Sequence, residues 1–261
     1  WRWLIEQVHR TDPDVLFLSE AFTRPAMLEG LAKAGFSQSY TYFTWRDTPA
    51  ELRGYCEELL AAADFLRPNF WPNTPDILPG HLRHGGPPMF KIRAVLAALL
   101  SPAWGIYSGY ELFERAARPD AEEYLDNEKY ELRPRDWAAA EAAGESLAPW
   151  LARLNAVRRE HPALHRWRNL RFHHVDNEAM LCWSKREGED TVLVVCSFDP
   201  TAVHWGNVSL DLPELGLDWH ERFTVRDQLT GATYRWGRDN AVRLDPFVEP
   251  AHVFTVHRDG D

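Results

Sequence analysis

The sequence predicts an α/β protein, the C-terminal half of a (β/α)8 TIM barrel followed by an antiparallel β-sandwich. Between residues 1 and 165, short apolar runs alternate with helical patterns, as in parallel strands that are joined by helices. Between residues 166 and 261, short strand-like segments follow one another and are divided by turn residues, as in a sandwich. We therefore predict two domains, 1–165 and 166–261.

The first domain is predicted to begin with a helix over residues 1–10. This helix ends at Thr11-Asp12-Pro13, because proline disfavours helix at the residue before it. The apolar run 15–18 indicates a strand that is buried on both faces of a parallel sheet. The remaining elements continue the alternation: helix 25–34, strand 36–45, helix 49–63, strand 65–70, helix 88–100, strand 103–108 and, after a long loop, helix 137–160.

The loop over residues 110–136 is polar and charged, and a loop of this length is usually functional or a small excursion of its own. Four strand–helix units make half of an eight-unit barrel, and an open half would expose strand edges. The chain also opens with Trp1-Arg2-Trp3, inside an amphipathic helical pattern and without a methionine. We expect that four earlier units precede residue 1.

The composition excludes several classes of function. A net charge of -10 and a pI near 5.6 argue against nucleic acid and against an anionic membrane surface. No apolar run approaches the roughly 20 residues of a membrane span. Three cysteines without metal-ligand spacing favour a reducing, cytoplasmic compartment.

Two carboxylates follow predicted strands, where a barrel presents its chemistry. Glu20 ends the run Phe17-Leu18-Ser19 and could protonate a leaving oxygen as a general acid; a helix N-terminus would also favour a glutamate there. Asp76 lies in an Asn-Thr-Pro-Asp turn and could stabilise an oxocarbenium-like transition state. On spacing alone, an aspartate that satisfies backbone amides of the turn is the simpler interpretation of Asp76.

Other polar residues are weaker candidates. Cations near strand ends could bind phosphate, although each is more often solvated: Arg24, Arg67 and Lys91. Lys129 and Tyr130 lie in the long loop and could hold hydroxyls, although a surface loop is the simpler interpretation. His81 and His84 invite a metal interpretation, which we reject because no matching ligand cluster accompanies them.

Together these segments resemble the α-amylase superfamily, glycoside hydrolase family 13. In that family one strand ends in the general acid, as Leu18-Ser19-Glu20 does here, and a later strand ends in Asn-His-Asp, where this chain has Asn73-Thr74-Pro75-Asp76. The last barrel strand is typically Pro-Gly-x-Pro-x-x-Tyr-x-Gly-x-Glu, which 101–111 resembles.

The segment that stands here in place of Asn-His-Asp resembles the corresponding segment of the maltosyl-transferring members of this family. A second segment that resembles these members is Tyr124-Leu125-Asp126-Asn127-Glu128-Lys129-Tyr130. This resemblance implies retaining transfer of maltosyl units from α-maltose 1-phosphate to the non-reducing end of an α-1,4-glucan, in glycogen or α-glucan biosynthesis. Glu20 is then the general acid/base, Asp76 the transition-state stabiliser, and Lys129 and Tyr130 contact the donor sugar. It also implies a homodimer and no metal or organic cofactor.

The family's nucleophile motif, Arg-x-Asp-Asn, does not occur in residues 1–261. Without a nucleophile no glycosyl-enzyme can form, so we expect the 261-residue polypeptide to be inactive alone. Two other interpretations stay open: another family 13 enzyme, such as a trehalose synthase or an amylase, and a non-catalytic glucan-binding module.

Overall fold

The computed structural model describes residues 1–125, 127–128 and 132–258. Its first part contains short strands that alternate with helices. The helices are α1 (Arg2–Thr11), α2 (Pro25–Lys33), α3 (Pro49–Ala61), α4 (Gly80–Leu100), α5 (Trp137–Ala142) and α6 (Ala148–Glu160), and the strands are β1 (Leu18–Ser19), β2 (Gln38–Tyr40), β3 (Pro68–Phe70) and β4 (Ala103–Trp104).

These four strands form one sheet in the order β1-β2-β3-β4, and every neighbouring pair is parallel. The helices α2, α3 and α4 connect successive strands. Strands that all run the same way present their carboxyl ends at one edge of the sheet, where α/β enzymes place their chemistry. We call this edge the C-terminal edge.

The strand predicted over residues 15–18 was wrong in its position and burial. Only Leu18 and Ser19 pair with β2, and the side chains of Leu16 and Leu18 are 70% and 46% exposed. The physical reason is that β1 is the edge strand of the described sheet, so it has a partner on one side only.

Strands 65–70 and 103–108 are observed as the shorter β3 and β4, and three further elements differ from the predicted ones because of local backbone conformation. Strand 36–45 is shorter, since a 3-10 turn, Tyr42–Trp45, follows β2. Helix α4 begins at Gly80 and is kinked at Gly86, where φ is +63° before two prolines. The helix predicted over 137–160 is divided into α5 and α6 at Gly144, whose φ of +73° ends the first of them.

The second part of the chain is all antiparallel. Its strands are β5 (Leu170–Val175), β6 (Met180–Glu187), β7 (Asp190–Ser197), β8 (His204–Ser209), β9 (Phe223–Asp227), β10 (Thr233–Trp236), β11 (Asp239–Leu244) and β12 (Ala251–Arg258). They form one continuous antiparallel sheet in the order β10-β9-β12-β7-β6-β5-β8-β11.

The sheet is continuous because β5 has two partners. Its residues 170–173 pair with β6, and His174 and Val175 pair with β8. Residues of β8 and β11 then share one hydrophobic core with residues of β6, β7, β9 and β12, so the sheet folds over itself.

The parallel sheet and the antiparallel sheet are joined at the C-terminal end of α4. The indole Nε1 of Trp183 donates to the carbonyl oxygen of Leu99 at 3.3 Å, and Nζ of Lys185 donates to that of Leu100 at 2.8 Å. Arg158 donates to the carbonyl oxygens of Ser101 and Pro102. Two cations thus satisfy carbonyl groups at the negative end of the helix dipole.

The buried ammonium of Lys185 makes a pH dependence of stability testable. Burial, and then the charge of Arg158, lower the pKa of Lys185 to about 7 from an ordinary 10.5. Between these values the unfolded chain binds more protons than the folded one, so the free energy of unfolding should rise with pH from about 7 to about 10. In Lys185→Met this slope should fall by up to about 1.4 kcal/mol per pH unit.

Urea unfolding at pH 7, 8 and 9 measures the slope. Lys33→Met, which removes an exposed lysine paired with Glu29 on α2, is the control and should leave the slope as it is. Parallel slopes in wild type and Lys185→Met would show that the ammonium is not desolvated.

Candidate functional site

Each strand of the parallel sheet places one residue at the C-terminal edge. Glu20 directly follows β1, Tyr40 is the last residue of β2, and Trp71 and Gly105 directly follow β3 and β4. The pairing of Ser19 with Ser39 sets Glu20 beside Tyr40 along the strands, and the pairing of Phe70 with Trp104 sets Trp71 beside Gly105.

Glu20 lies at the open side of this edge and its side chain is exposed. The charge of Glu20 acts on Tyr40, whose pKa is raised first by burial and then by this negative charge. A neutral phenol beside a carboxylate can donate to it or to a bound hydroxyl. The two groups therefore form a polar pair at the ends of β1 and β2.

The indole ring of Trp71 lies at the C-terminal ends of β3 and β4. Its ring contacts that of Tyr40 edge to face, with 5.3 Å between centroids. A Cβ atom on Gly105 would lie 2.3 Å from Cζ2 of Trp71, so only a glycine allows the indole to pack on β4. Its Nε1 is buried without a hydrogen-bond partner in the described part of the chain.

Asp76 lies in an exposed turn beyond β3. Its backbone N–H donates to Oγ1 of Thr74 at 3.2 Å, and Thr74 and Ile77 form an isolated antiparallel bridge that closes the turn. Because β2 lies between β1 and β3, the strands that present Glu20 and Asp76 are about 10 Å apart, or two strand spacings. The structure thus places both carboxylates beyond the same edge of the sheet, without direct contact between their strands.

Asn73 joins three segments around this edge. Its Oδ1 accepts from the backbone N–H of Tyr107 at 3.0 Å, and its Nδ2 donates to the hydroxyl of Tyr124 at 2.5 Å. The side chain is fully buried, and both of its polar atoms are satisfied by these two contacts. Asn73 therefore fixes the turn that presents Asp76 against β4 and the long loop.

A cluster of charged residues holds the long loop. The guanidinium of Arg135 binds both oxygens of Glu114, at 2.9 and 3.0 Å, and one oxygen of Glu128 at 3.1 Å. The hydroxyl of Tyr107 donates to the same Glu128 oxygen at 2.7 Å. These contacts connect the end of β4 to both halves of the loop, and we call the four residues the loop clamp.

Contacts within the loop clamp also shift the pKa values of Arg135 and Glu128. The hydrogen bonds that Arg135 donates to Glu114, and then the one that it donates to Glu128, raise its pKa although burial opposes this. The pKa of Glu128 is lowered, chiefly by the hydroxyl of Tyr107. A bidentate guanidinium–carboxylate pair is among the strongest hydrogen-bonded arrangements in proteins.

The other residues that the sequence suggested lie away from the C-terminal edge or outside the described residues. Lys129 and Tyr130 lie outside the described residues. Arg67 precedes β3 and so lies at the opposite edge of the sheet, whereas Nζ of Lys91 is 3.6 Å from Glu249 in the antiparallel part. Nδ1 of His81 lies 2.9 Å from the carboxylate of Asp47, and burial lowers the pKa of His81 to about 4.

Within the described ranges, no three His, Cys, Asp or Glu side chains are grouped so that they could hold a metal ion. None of the helices described is both long enough and apolar enough to cross a membrane.

Sequence reasoning missed the roles of Tyr40, Trp71 and Asn73. Tyr40 and Trp71 lie in aromatic-rich segments that predict strands equally well, and periodicity does not tell a core ring from one at a strand end. Asn73 could have been suspected, because a buried asparagine immediately after a strand must find several partners.

Comparison with known proteins gives one family match and several close relatives. The family model described as "GLGE, C-terminal" matches residues 172–256. Alpha-1,4-glucan:maltose-1-phosphate maltosyltransferase 2 of Streptomyces coelicolor is 60% identical over 99% of this chain and 39% of its own length. The maltosyltransferases of Mycolicibacterium smegmatis and Rhodospirillum rubrum are 56% and 46% identical over 98% of this chain and 37% of theirs. This chain thus spans about two fifths of these relatives.

Solved α-amylase structures have the same fold. An Anoxybacillus α-amylase superposes with a TM-score of 0.72 at 13% identity, covering 100% of this chain and 56% of the amylase. The α-amylase of Geobacillus thermoleovorans, in complex with acarbose, gives a TM-score of 0.70 at 14% identity, covering 100% and 57%. At such low identity the likeness concerns the fold alone.

Proposed function

We propose that this chain is the acid-bearing part of an α-1,4-glucan:maltose-1-phosphate maltosyltransferase. The observation that supports it best is the 60% identity over 99% of the chain to a relative with that name. The chain matches only 39% of that relative, so the activity, its substrates and its partners are proposals here.

The four parallel units are proposed to be half of a (β/α)8 barrel, with a domain boundary near residue 165. Sequential parallel strands with connecting helices support this, as does the exposure of Leu16 and Leu18 at the β1 edge. A neighbouring strand and its helix would cover these side chains, since barrels have no open edge.

The proposed chemistry is transfer with retention of configuration at the anomeric carbon. A nucleophilic aspartate forms a bond to the anomeric carbon while the donor's C–O bond breaks and Glu20 protonates the departing phosphate oxygen. Glu20 then takes the proton from the acceptor 4-hydroxyl, whose oxygen bonds to the anomeric carbon and displaces the aspartate. Asp76 stabilises the positive charge that develops on the donor ring. Lys129 and Tyr130 are proposed contacts of the donor sugar, and the loop clamp positions the loop that contains them.

The nucleophile is proposed to be an aspartate outside residues 1–261, on the strand that would neighbour β1. Support comes from the resemblance, because residues 1–261 contain no Arg-x-Asp-Asn motif. A homodimer and a cytoplasmic location complete the proposal; the three buried, free cysteines fit a reducing compartment.

Phosphate release from α-maltose 1-phosphate tests the proposal. A chimera in which this chain replaces the matching segment of the Streptomyces coelicolor relative should release phosphate in the presence of maltotetraose and lengthen it by two glucose units. The 261-residue polypeptide alone should release none above background, because it cannot form a glycosyl-enzyme. Maltose and starch, supplied separately, distinguish a trehalose synthase or an amylase.

A folded chimera without phosphate release would refute the maltosyl transfer. Turnover by the 261 residues alone, near that of the chimera, would refute the external nucleophile.

A further inference from the structure

A hollow of about 340 Å³ lies at the edge of the parallel sheet that is opposite to the C-terminal edge. Part of its lining comes from the first residues of β2, β3 and β4, which are Gln38, Pro68 and Ala103. Another part comes from the segment 165–168, which leads into β5. The hollow thus lies where the parallel part of the chain meets the antiparallel part, and the proposed chemistry does not use it.

The charged side chains that line this hollow are cationic. Three of them are the arginines Arg67, Arg166 and Arg168, and none of the described residues in the lining is Asp or Glu. This local excess of positive charge contrasts with the net charge of -10 of the whole chain. Like charges around one small hollow repel one another, so an anion between them would stabilise the arrangement.

The three guanidinium groups are available to a ligand. Arg67 lies exposed directly before β3 and has no carboxylate partner within the described ranges. Nε of Arg166 is 3.4 Å from Glu187, and both side chains are at least 44% exposed. Arg168 contacts Asp64, and these side chains are 66% and 80% exposed. Exposed ion pairs of this kind are weak, so a bound anion can compete with both carboxylates.

The neutral polar groups at the hollow also favour a ligand that accepts hydrogen bonds. Oε1 of Gln38 accepts from Nδ2 of Asn69 at 3.2 Å, which leaves Nε2 of Gln38 as a donor. The carbonyl oxygen of Pro68 already accepts from the hydroxyl of Ser101 at 2.8 Å. Donors therefore remain at the start of β2, whereas this acceptor at the start of β3 is occupied.

A buried cation lies behind the lining. The guanidinium of Arg158 donates to the carbonyl oxygen of Pro102, one of the lining residues, at 2.8 Å. Burial lowers the pKa of Arg158 to about 10, and no described carboxylate opposes this shift. With such a pKa the group is still charged at neutral pH. Its charge adds to the positive potential of the hollow.

We propose that this hollow is a binding site for a phosphate-type oxyanion, held by the guanidinium groups of Arg67, Arg166 and Arg168 and by the amide of Gln38. Phosphate oxygens accept hydrogen bonds only, and guanidinium groups bind such oxygens in pairs. Free inorganic phosphate and the phosphate group of a phosphorylated sugar share this chemistry. The bound anion would connect the residue before β3 to residues before β5, and so join the two parts of the chain.

Binding of inorganic phosphate to the 261-residue chain tests the site, measured by phosphorus NMR at constant ionic strength and about pH 8, where phosphate is mostly a dianion. We expect a Kd of about 1 mM. Arg67→Met and Arg168→Met should each weaken binding by about 10-fold, because each removes charge-assisted hydrogen bonds. Arg67→Lys should recover only part of the affinity, since an ammonium does not bind two oxygens in the same geometry.

Arg24→Met is the matched control. It also removes one arginine, but Arg24 follows β1 and precedes α2, beyond the C-terminal edge. Its affinity for phosphate should stay within about twofold of wild type. Glucose 6-phosphate distinguishes the two sources of the anion: tighter binding than that of inorganic phosphate would assign the hollow to a phosphorylated sugar, and weaker binding would assign it to the free ion.

Absence of phosphate binding, or unchanged affinity in both Arg67→Met and Arg168→Met, would overturn the site. A loss in Arg24→Met as large as in the hollow variants would also overturn it, because it would show attraction to net charge and not to this hollow. Thermal melting verifies that each variant is folded, which the exposure of the replaced side chains leads us to expect. The test involves no turnover, so its result is independent of the phosphate release that tests the proposed function.

Discussion

Replacing Glu20 with glutamine in the chimera should lower kcat for phosphate release from α-maltose 1-phosphate by about 10²- to 10⁴-fold, the usual contribution of a general acid. Glutamine keeps the size and polarity of the side chain but cannot deliver a proton to the departing phosphate. In the 261-residue chain, where Glu20 is exposed at the end of an edge strand, the same substitution should leave the free energy of unfolding within about 0.5 kcal/mol of wild type.

The choice of donor separates protonation from other roles of Glu20. α-Maltosyl fluoride has a leaving group that needs little protonation, so Glu20→Gln should recover much of the bond-breaking step with this donor. Asp76→Asn should lose about 10²- to 10³-fold with both donors, because it removes charge stabilisation from the ring and not a proton from the leaving group. Glu29→Gln, an exposed carboxylate of α2, is the control and should keep full activity.

Equal losses with both donors in Glu20→Gln would contradict the acid role. An Asp76→Asn chimera with wild-type turnover would leave Asp76 as a turn residue that satisfies local amides, the simpler interpretation from its spacing.

The sequence predicted the alternation of strands and helices well, because that alternation depends on local patterns of apolar residues. It misplaced β1 because the run 15–18 is as apolar as a strand covered on both faces, and only the tertiary neighbours decide whether such a strand is covered. The change from parallel to antiparallel strands near residue 165 was also visible locally. The pairing of β5 with both β6 and β8, which makes a single sheet, could not be predicted locally, because strand register depends on segments that are distant in sequence.

The residues of the candidate site were also predictable only in part. Glu20 and Asp76 could be proposed from the sequence because each follows a predicted strand and stands where the resembling family has a carboxylate, although the residues before Asp76 depart from Asn-His-Asp. Tyr40 and Trp71 could not, because their importance depends on parallel pairing that brings residues 31 positions apart into contact at 5.3 Å. Gly105 is informative only when the Trp71 ring is seen against it.

Replacing Arg135 with methionine should be the most damaging single change to the long loop. The guanidinium is only 5% exposed and binds the carboxylate of Glu114, itself 14% exposed, through two hydrogen bonds. Methionine fills similar space but removes both of these hydrogen bonds and leaves the carboxylate with Arg133 alone, at 3.6 Å. Breaking a buried ion pair costs up to about 3–5 kcal/mol. Arg135→Lys should rescue little, because an ammonium cannot bind both oxygens in the same geometry.

Arg118→Met is the matched control in the same loop. Arg118 is 3.0 Å from Glu123, but it is 57% exposed, and such surface pairs contribute at most about 1 kcal/mol. Urea unfolding gives the stability of each variant, and limited proteolysis shows whether cleavage moves into residues 110–136. In the chimera, Arg135→Met should raise KM for α-maltose 1-phosphate more than it lowers kcat, since the loop contains the proposed donor contacts Lys129 and Tyr130 while Glu20 and Asp76 lie elsewhere. Equal stability of the two variants would show that the loop clamp does not hold the loop, and a selective loss of kcat would place the clamp's effect on the catalytic step.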